Sequence, residues 1–255
     1  MDKEDCMKRF EKACIITLSL FVLIGGGLTA QSVVASTAWT GAFARVAGAD
    51  EVRVLAPFDL SHPPEYELRP SDIRTVMNAD LVIYAGYENM VERLVEAAGQ
   101  SDAETIQIQT IHSVPVMTRS VLSIARALGT EETAGRNLDR LVEFLDEWSR
   151  EVGDYEYDGQ PVVAHFHQQA LARQLGMNVV GVFGPAPLEA RQIDELTRME
   201  PALIIDNGHN PVAEPIAETT QAAVSVWYNF PGIEGTRTLM EIFELNRAAF
   251  RDTVQ

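Results

Sequence analysis

From residue 31 onward, short apolar runs alternate with amphipathic stretches. Val33–Ser36 and Val52–Ala56 read as strands on either side of a helix over Thr40–Ala47, which Gly48 ends. Pro70-Ser71-Asp72 is a helix start, with Ile73, Val76 and Met77 on one face. Leu81–Tyr84 is an apolar strand closed by Gly86, and a helix over Asn89–Ala98 precedes the strand Thr105–Ile108. The middle differs: Leu138, Leu141, Val142, Leu145, Trp148 and Val152 form one stripe of a long amphipathic helix over Glu131–Val152. The glycine-bounded polar stretch Gly153–Gln160 then breaks the chain.

A second alternating half follows. Strands are expected at Val162–Ala164, Val179–Phe183, Leu203–Ile205 and Ala223–Trp227. Helices are expected at Gln168–Leu175, Glu189–Met199, Val212–Thr219 and Thr236–Phe250. Strands alternating with helices give parallel sheets. The expected fold is therefore α/β: two lobes, each a small parallel sheet flanked by helices, joined by one long linking helix. The corresponding boundaries are an N-terminal lobe at 31–128, a linking helix at 129–153 and a C-terminal lobe at 154–255.

Residues 1–30 have a different pattern. Lys8, Arg9 and Lys12 precede an apolar run from Ala13 to Ile24, then three glycines and Leu28-Thr29-Ala30. This is the layout of a signal peptide, with an uncleaved anchor running on to Val34 as the alternative. Both cysteines, Cys6 and Cys14, lie in it, so a chain cut after Ala30 has neither a disulfide nor a thiolate site. The formal net charge of −17, from 37 acidic and 20 basic residues, argues against nucleic acid, whose phosphates call for clustered Lys and Arg. The same field raises the concentration of cations nearby.

Candidate chemistry falls at the carboxyl ends of the expected strands, where open α/β sheets bind ligands. His165 follows Val162–Ala164, and Asp206 follows Leu203–Ile205. His62 lies in the loop after Val52–Ala56, and His112 just past Thr105–Ile108. Imidazole and carboxylate suit a borderline divalent ion. Each also has a plainer reading: His62 as an exposed loop residue, His165 as a cap or core residue, Asp206 as the turn residue of Asp-Asn-Gly. His167 and His209 stand as substitutes or supporting partners. No H-E-x-x-H, G-x-S-x-G or phosphate-loop motif is present.

Several segments together resemble the solute-binding proteins of zinc and manganese ABC transporters, the TroA-like family. They are Val33–Trp39 with Gly48; His62 followed by Tyr66-Glu67-Leu68-Arg69-Pro70-Ser71-Asp72; Ala79 through Gly86; Val162, Val163 and His165 with Gly176 eleven residues on; and Asp206 after its apolar strand. Where that family carries D-P-H-x-W-x-D-P, this chain has Thr110-Ile111-His112-Ser113-Val114-Pro115, a shorter segment. The His-rich acidic loop of many zinc members is missing.

The resemblance implies a metal set of His62, His112, His165 and Asp206 in a cleft between lobes, holding zinc, or next manganese. It implies a monomeric, non-enzymatic periplasmic or extracytoplasmic protein that delivers its ion to an ABC permease. Affinity would fall as pH drops through the histidine range, and the long helix would limit the lobes to small motions. Two other readings remain. One is a metal-dependent hydrolase on the same scaffold, with Glu65 or Glu67 as base. The other is a receptor that has lost metal binding and holds an organic ligand or a partner.

Overall fold

A computed structural model describes residues 31–58, 60 and 62–254. The proposed signal segment, with Cys6 and Cys14, lies outside the described residues. The first half runs β1 (Val33–Ala35), α1 (Ala38–Val46), β2 (Val52–Val54), a 3-10 turn (Pro63–Glu65), α2 (Pro70–Met77), β3 (Leu81–Tyr84), α3 (Val91–Ala98) and β4 (Glu104–Gln107). Then come α4 (Val114–Leu128) and α5 (Glu131–Asp154). The second half runs β5 (Pro161–His165), α6 (Gln169–Gln174), β6 (Asn178–Phe183), α7 (Ala190–Thr197), β7 (Leu203–Asn207), α8 (Glu214–Thr220), β8 (Ala223–Trp227) and α9 (Leu239–Val254).

Both sheets are parallel and share one topology: β2-β1-β3-β4 in the first and β6-β5-β7-β8 in the second. In each, the chain leaves the first strand to one side and returns on the other. The gap between those two strands, at their carboxyl ends, is where such sheets present loops to a ligand. The fold is the expected α/β arrangement of two sheets flanked by helices and linked by the long α5.

Local chemistry sets the elements that matter for the cleft. The Thr37 hydroxyl accepts the Thr40 amide (3.4 Å) and the Thr40 hydroxyl accepts the Thr37 amide (3.1 Å), closing a capping box over α1. At α2, Pro70 occupies the first turn. The Asp72 carboxylate accepts the Arg69 amide (2.8 Å) and the Tyr66 hydroxyl (2.7 Å). The hydrophobic pattern did not reveal α4. Its signal is Pro115 in the first turn, and Gly129 in a left-handed conformation (φ 67°) ends it.

The main core does not stop at the boundary between lobes. It runs from Phe43, Leu81 and Ile83 through Val121 and Ile124 of α4 to Leu138, Leu141, Leu145, Trp148 and Val152 of α5. From there it continues into Val162, Ala164, Ile205, Trp227, Phe243 and Phe250. Trp148 packs on Trp227 with ring centroids 5.0 Å apart. Each sheet has its own outer core: Val34, Val76, Val82 and Leu94 in the first, Val163, Leu196, Ile204 and Ile216 in the second. Glu151 of α5 forms ion pairs with Arg247 and Arg251 of α9. Hydrogen bonds from Arg247 first, then Arg251, hold its carboxyl down at about 2.

Candidate metal site and cleft

A cavity of about 1150 Å³ opens where the carboxyl ends of both sheets meet. Its walls come from the segments after the central strands: Thr37 and Trp39 after β1, Tyr87 after β3, Phe166 and His167 after β5, and His209 after β7. Each wall segment is anchored. Glu88 is buried and accepts the Ser36 hydroxyl (2.6 Å) and the Ala85 and Gly86 amides (2.9 and 2.7 Å), fixing the loop that carries Tyr87. Gln168 donates to Asn207 Oδ1 (3.2 Å) and to the Trp227 carbonyl (3.1 Å), tying the turn after β5 to β7 and β8. Asn246 of α9 brackets Tyr228, accepting its amide (2.7 Å) and donating to its carbonyl (2.8 Å), which sets the loop bearing Asn229 and Phe230. Gly208 lets that loop pass: a β-carbon there would fall 2.3 Å from the Tyr228 ring.

The expected ligands are distributed unevenly around this cavity. His62 is exposed, lies on the cavity wall and precedes the 3-10 turn. His112 also lines the cavity but is only 2% exposed. Its Nε2 accepts the Trp39 indole N–H (3.2 Å), its Nδ1 has no partner, and its ring sits between Phe43 and Phe243. His165 and Asp206 are not wall residues. The strands run farther than the apolar pattern indicated, so His165 ends β5 and Asp206 lies inside β7. Side chains alternate along a strand. His165 therefore shares the face of Val163, and Asp206 that of Ile204, both toward the outer core of the second sheet.

There, His165 is fully buried. Its Nδ1 accepts the His167 amide (3.2 Å), while its Nε2 is unpartnered and abuts Gly184. Asp206 accepts the amides of Asn207 (2.8 Å), Val212 (3.1 Å) and Ala213 (3.0 Å), holding the entry to α8. Among the described residues, no three His, Cys, Asp or Glu side chains are grouped closely enough to hold one metal ion.

The two substitutes, by contrast, face the cavity. His167 is the hub: its ring centroid lies 5.3 Å from that of His165 and 6.0 Å from that of Trp39. It also couples electrostatically to His112, His165 and His209. His209 stacks on Phe230 (3.5 Å, 15°), and its Nδ1 is paired with Asn229 Oδ1 at 3.0 Å. With Nδ1 donating to that oxygen, Nε2 keeps its lone pair. Burial pushes these imidazoles down, His112 to about 3 and His165 and His209 each to about 4. The neighbouring His167 adds to burial in lowering all three to these values. They are neutral at ordinary pH, the form that binds metal. Glu65 and Glu67 are exposed and do not line the cavity, so the hydrolase reading gains nothing from the geometry.

The comparisons agree with this geometry at the level of pattern and fold. Residues 33–136 match the model of the family described as zinc-uptake complex component A, periplasmic (ZnuA). The laminin-binding protein Lbp of Streptococcus pyogenes superposes with a TM-score of 0.69 at 17% identity, over 88% of this chain and 99% of that one. The fold is the TroA-like one. FpvC from Pseudomonas aeruginosa, solved in complex with Mn2+, is similar at a TM-score of 0.65 and 18% identity, over 89% and 97% of the two chains. A Mn-bound periplasmic metal-binding protein from Candidatus Liberibacter asiaticus gives 0.65 at 14%, over 88% and 100%. No curated protein sequence matches the chain. Among the described residues, no helix is long and apolar enough to cross a membrane.

Tyr87, Phe166, Arg173, Asn229 and Phe230 were not singled out from the sequence, and Trp39 only as the end of a resembling segment, yet all line the cavity. Trp39 and Phe166 each follow a central strand within a few residues, and that position was the available signal.

Proposed function

We propose that the protein is an extracytoplasmic receptor that takes a divalent metal ion, zinc ahead of manganese, into the cleft between its sheets and passes it to an ABC permease. The secreted form would begin near residue 31 and act as a monomer. One observation carries the reading: imidazoles from both halves, His62, His112, His167 and His209, line a single cavity at the carboxyl ends of both sheets. Burial keeps His112 and His209 neutral and available as lone-pair donors.

The ligand set can be completed in two ways. His165 and Asp206 join His62 and His112 on the sequence reading; His167 and His209 join them on the cavity reading. The second has better support, because the Asp206 oxygens already serve three amides. Elemental analysis of protein purified without chelator should find about one equivalent of metal, and added metal should raise the melting temperature. His167→Gln with His209→Gln should abolish both, whereas Asp206→Asn should leave stoichiometry intact. No metal and no shift in the unmodified protein would overturn the proposal. Loss of metal in Asp206→Asn alone would restore the sequence-derived set. Release into the medium, N-terminal sequencing and gel filtration test the location, the cut and the monomer.

A further inference from the structure

The cavity is poorly matched to a bare ion in size, lining and charge. Zinc donors sit about 2.0–2.3 Å from the metal, so a lone ion would leave nearly all of the about 1150 Å³ empty. Pockets for small organic molecules run to roughly 300–1,000 Å³ and are walled mainly by apolar and aromatic groups. This cavity has that character. Tyr87, Ile111 and Phe166, which are 48%, 47% and 52% exposed, all line it, beside Trp39 and Phe230. Large apolar side chains left open on one concave surface mark a site for an apolar partner.

The charge is as informative. The chain carries a net charge of −17, yet no Asp or Glu is among the described residues lining the cavity. The wall does include Arg173, whose guanidinium donates to Gln169 Oε1 (2.5 Å) and has no carboxylate partner among the described residues. Imidazole and guanidinium carry no negative charge in any protonation state, so nothing on this wall offsets a dication, whereas a cargo with its own carboxylate would. Nor, among the described residues, do three His, Cys, Asp or Glu side chains gather at one point.

We propose that the metal enters this cleft already held by a small organic chelator that has a planar or apolar face and at least one carboxylate. This deepens the reading above and rests on it. The chelator fills most of the coordination sphere, and His209 Nε2 and the His167 imidazole supply what remains. Phe166, Tyr87 and Phe230 cover the organic face, and Arg173 takes a carboxylate through paired N–H donors. Association is coordination and burial only; no covalent bond or electron is transferred.

Isothermal titration and native mass spectrometry of the mature chain should compare zinc chloride with 1:1 zinc complexes of dipicolinate, citrate and histidine, and with each chelator alone. The expected result is a ternary protein–zinc–chelator mass, with at least one complex bound about tenfold or more tighter than zinc chloride or its free chelator. Arg173→Gln and Phe166→Ala should each weaken the complex several-fold without changing the response to zinc chloride. The proposal is overturned, and the metal-receptor reading kept, if zinc chloride binds at one equivalent and every chelator merely strips it. A chelator that binds as tightly without zinc overturns both. So does the absence of any binding.

Discussion

Acidification of the metal-free protein from about pH 7.5 to about pH 5 should destabilise it strongly, before any carboxylate titration contributes. His112 and His165 are 2% and 0% exposed, and burial holds them neutral down to about pH 3 and 4, against an unfolded value of 6.5. In the unfolded chain both imidazoles take up protons below 6.5, while in the folded chain they do not. Their contribution to stability is therefore complete above pH 6.5 and declines as pH falls from there toward 4. At pH 5, one and a half units below the unfolded value, each costs about 2 kcal/mol at 1.36 kcal/mol per unit, or roughly 4 kcal/mol together. A domain of ordinary stability has about 5–15 kcal/mol in total. The depressed Glu151 carboxyl, whose unfolded value is 4.5, begins to contribute only below this window. Urea titrations followed by tryptophan fluorescence at the two pH values, with chelator present, read the difference directly. His112→Asn should remove about a third of it, because His209, also held at about 4, adds to the difference alongside His165. Equal midpoints at both pH values, or a pH difference unchanged in His112→Asn, would refute the burial argument.

Other substitutions test the supports of the cleft. A β-carbon at Gly184 would stand 2.4 Å from His165 Nε2, and the residue's φ is +72°. Gly184→Ala should therefore cost about 2–4 kcal/mol in chemical denaturation, since overpacking and a left-handed backbone both penalise it. Asp206→Ala strands the amides of Asn207, Val212 and Ala213 and should cost about 2–4 kcal/mol, whether or not metal is present. Glu151→Gln should lower stability by about 1–2 kcal/mol in dilute buffer and by less in molar salt, because its partners are guanidinium groups near the surface. Metal-induced stabilisation should persist at pH 5.5 and not fade at 6.5, because the buried His112 and His209 remain unprotonated there.

Element order and type were legible because parallel strands buried on both faces read as apolar runs, as in Leu81–Tyr84 and Leu203–Ile205. The stripe on α5 was equally plain, although Val142 is only half-buried and Ala134 takes part unannounced. What the pattern could not fix was where a strand ends. Polar residues can continue a strand as long as their backbone amides and carbonyls remain paired. Asp206 pairs in register with Val226, and His165 with Phe183. That extension of one or two residues decided which side of the sheet each side chain faces. It left His165 and Asp206 beside the outer core and gave the cavity to His167 and His209. The large aromatic lining was illegible for a different reason: single aromatic residues in loops carry no period, and only the meeting of two sheets reveals that they share a space.

The uninterrupted core has a consequence for how the molecule comes apart. Because α5 is packed simultaneously against Ile124 on one side and Trp227 and Phe250 on the other, neither half owns a complete interior. Calorimetry should then record a single endotherm, with calorimetric and van't Hoff enthalpies in agreement, where two independent bodies would melt in steps. A fragment stopping at residue 136, where the family match ends, would sever α5 within its first two turns and precipitate rather than persist as a miniature receptor.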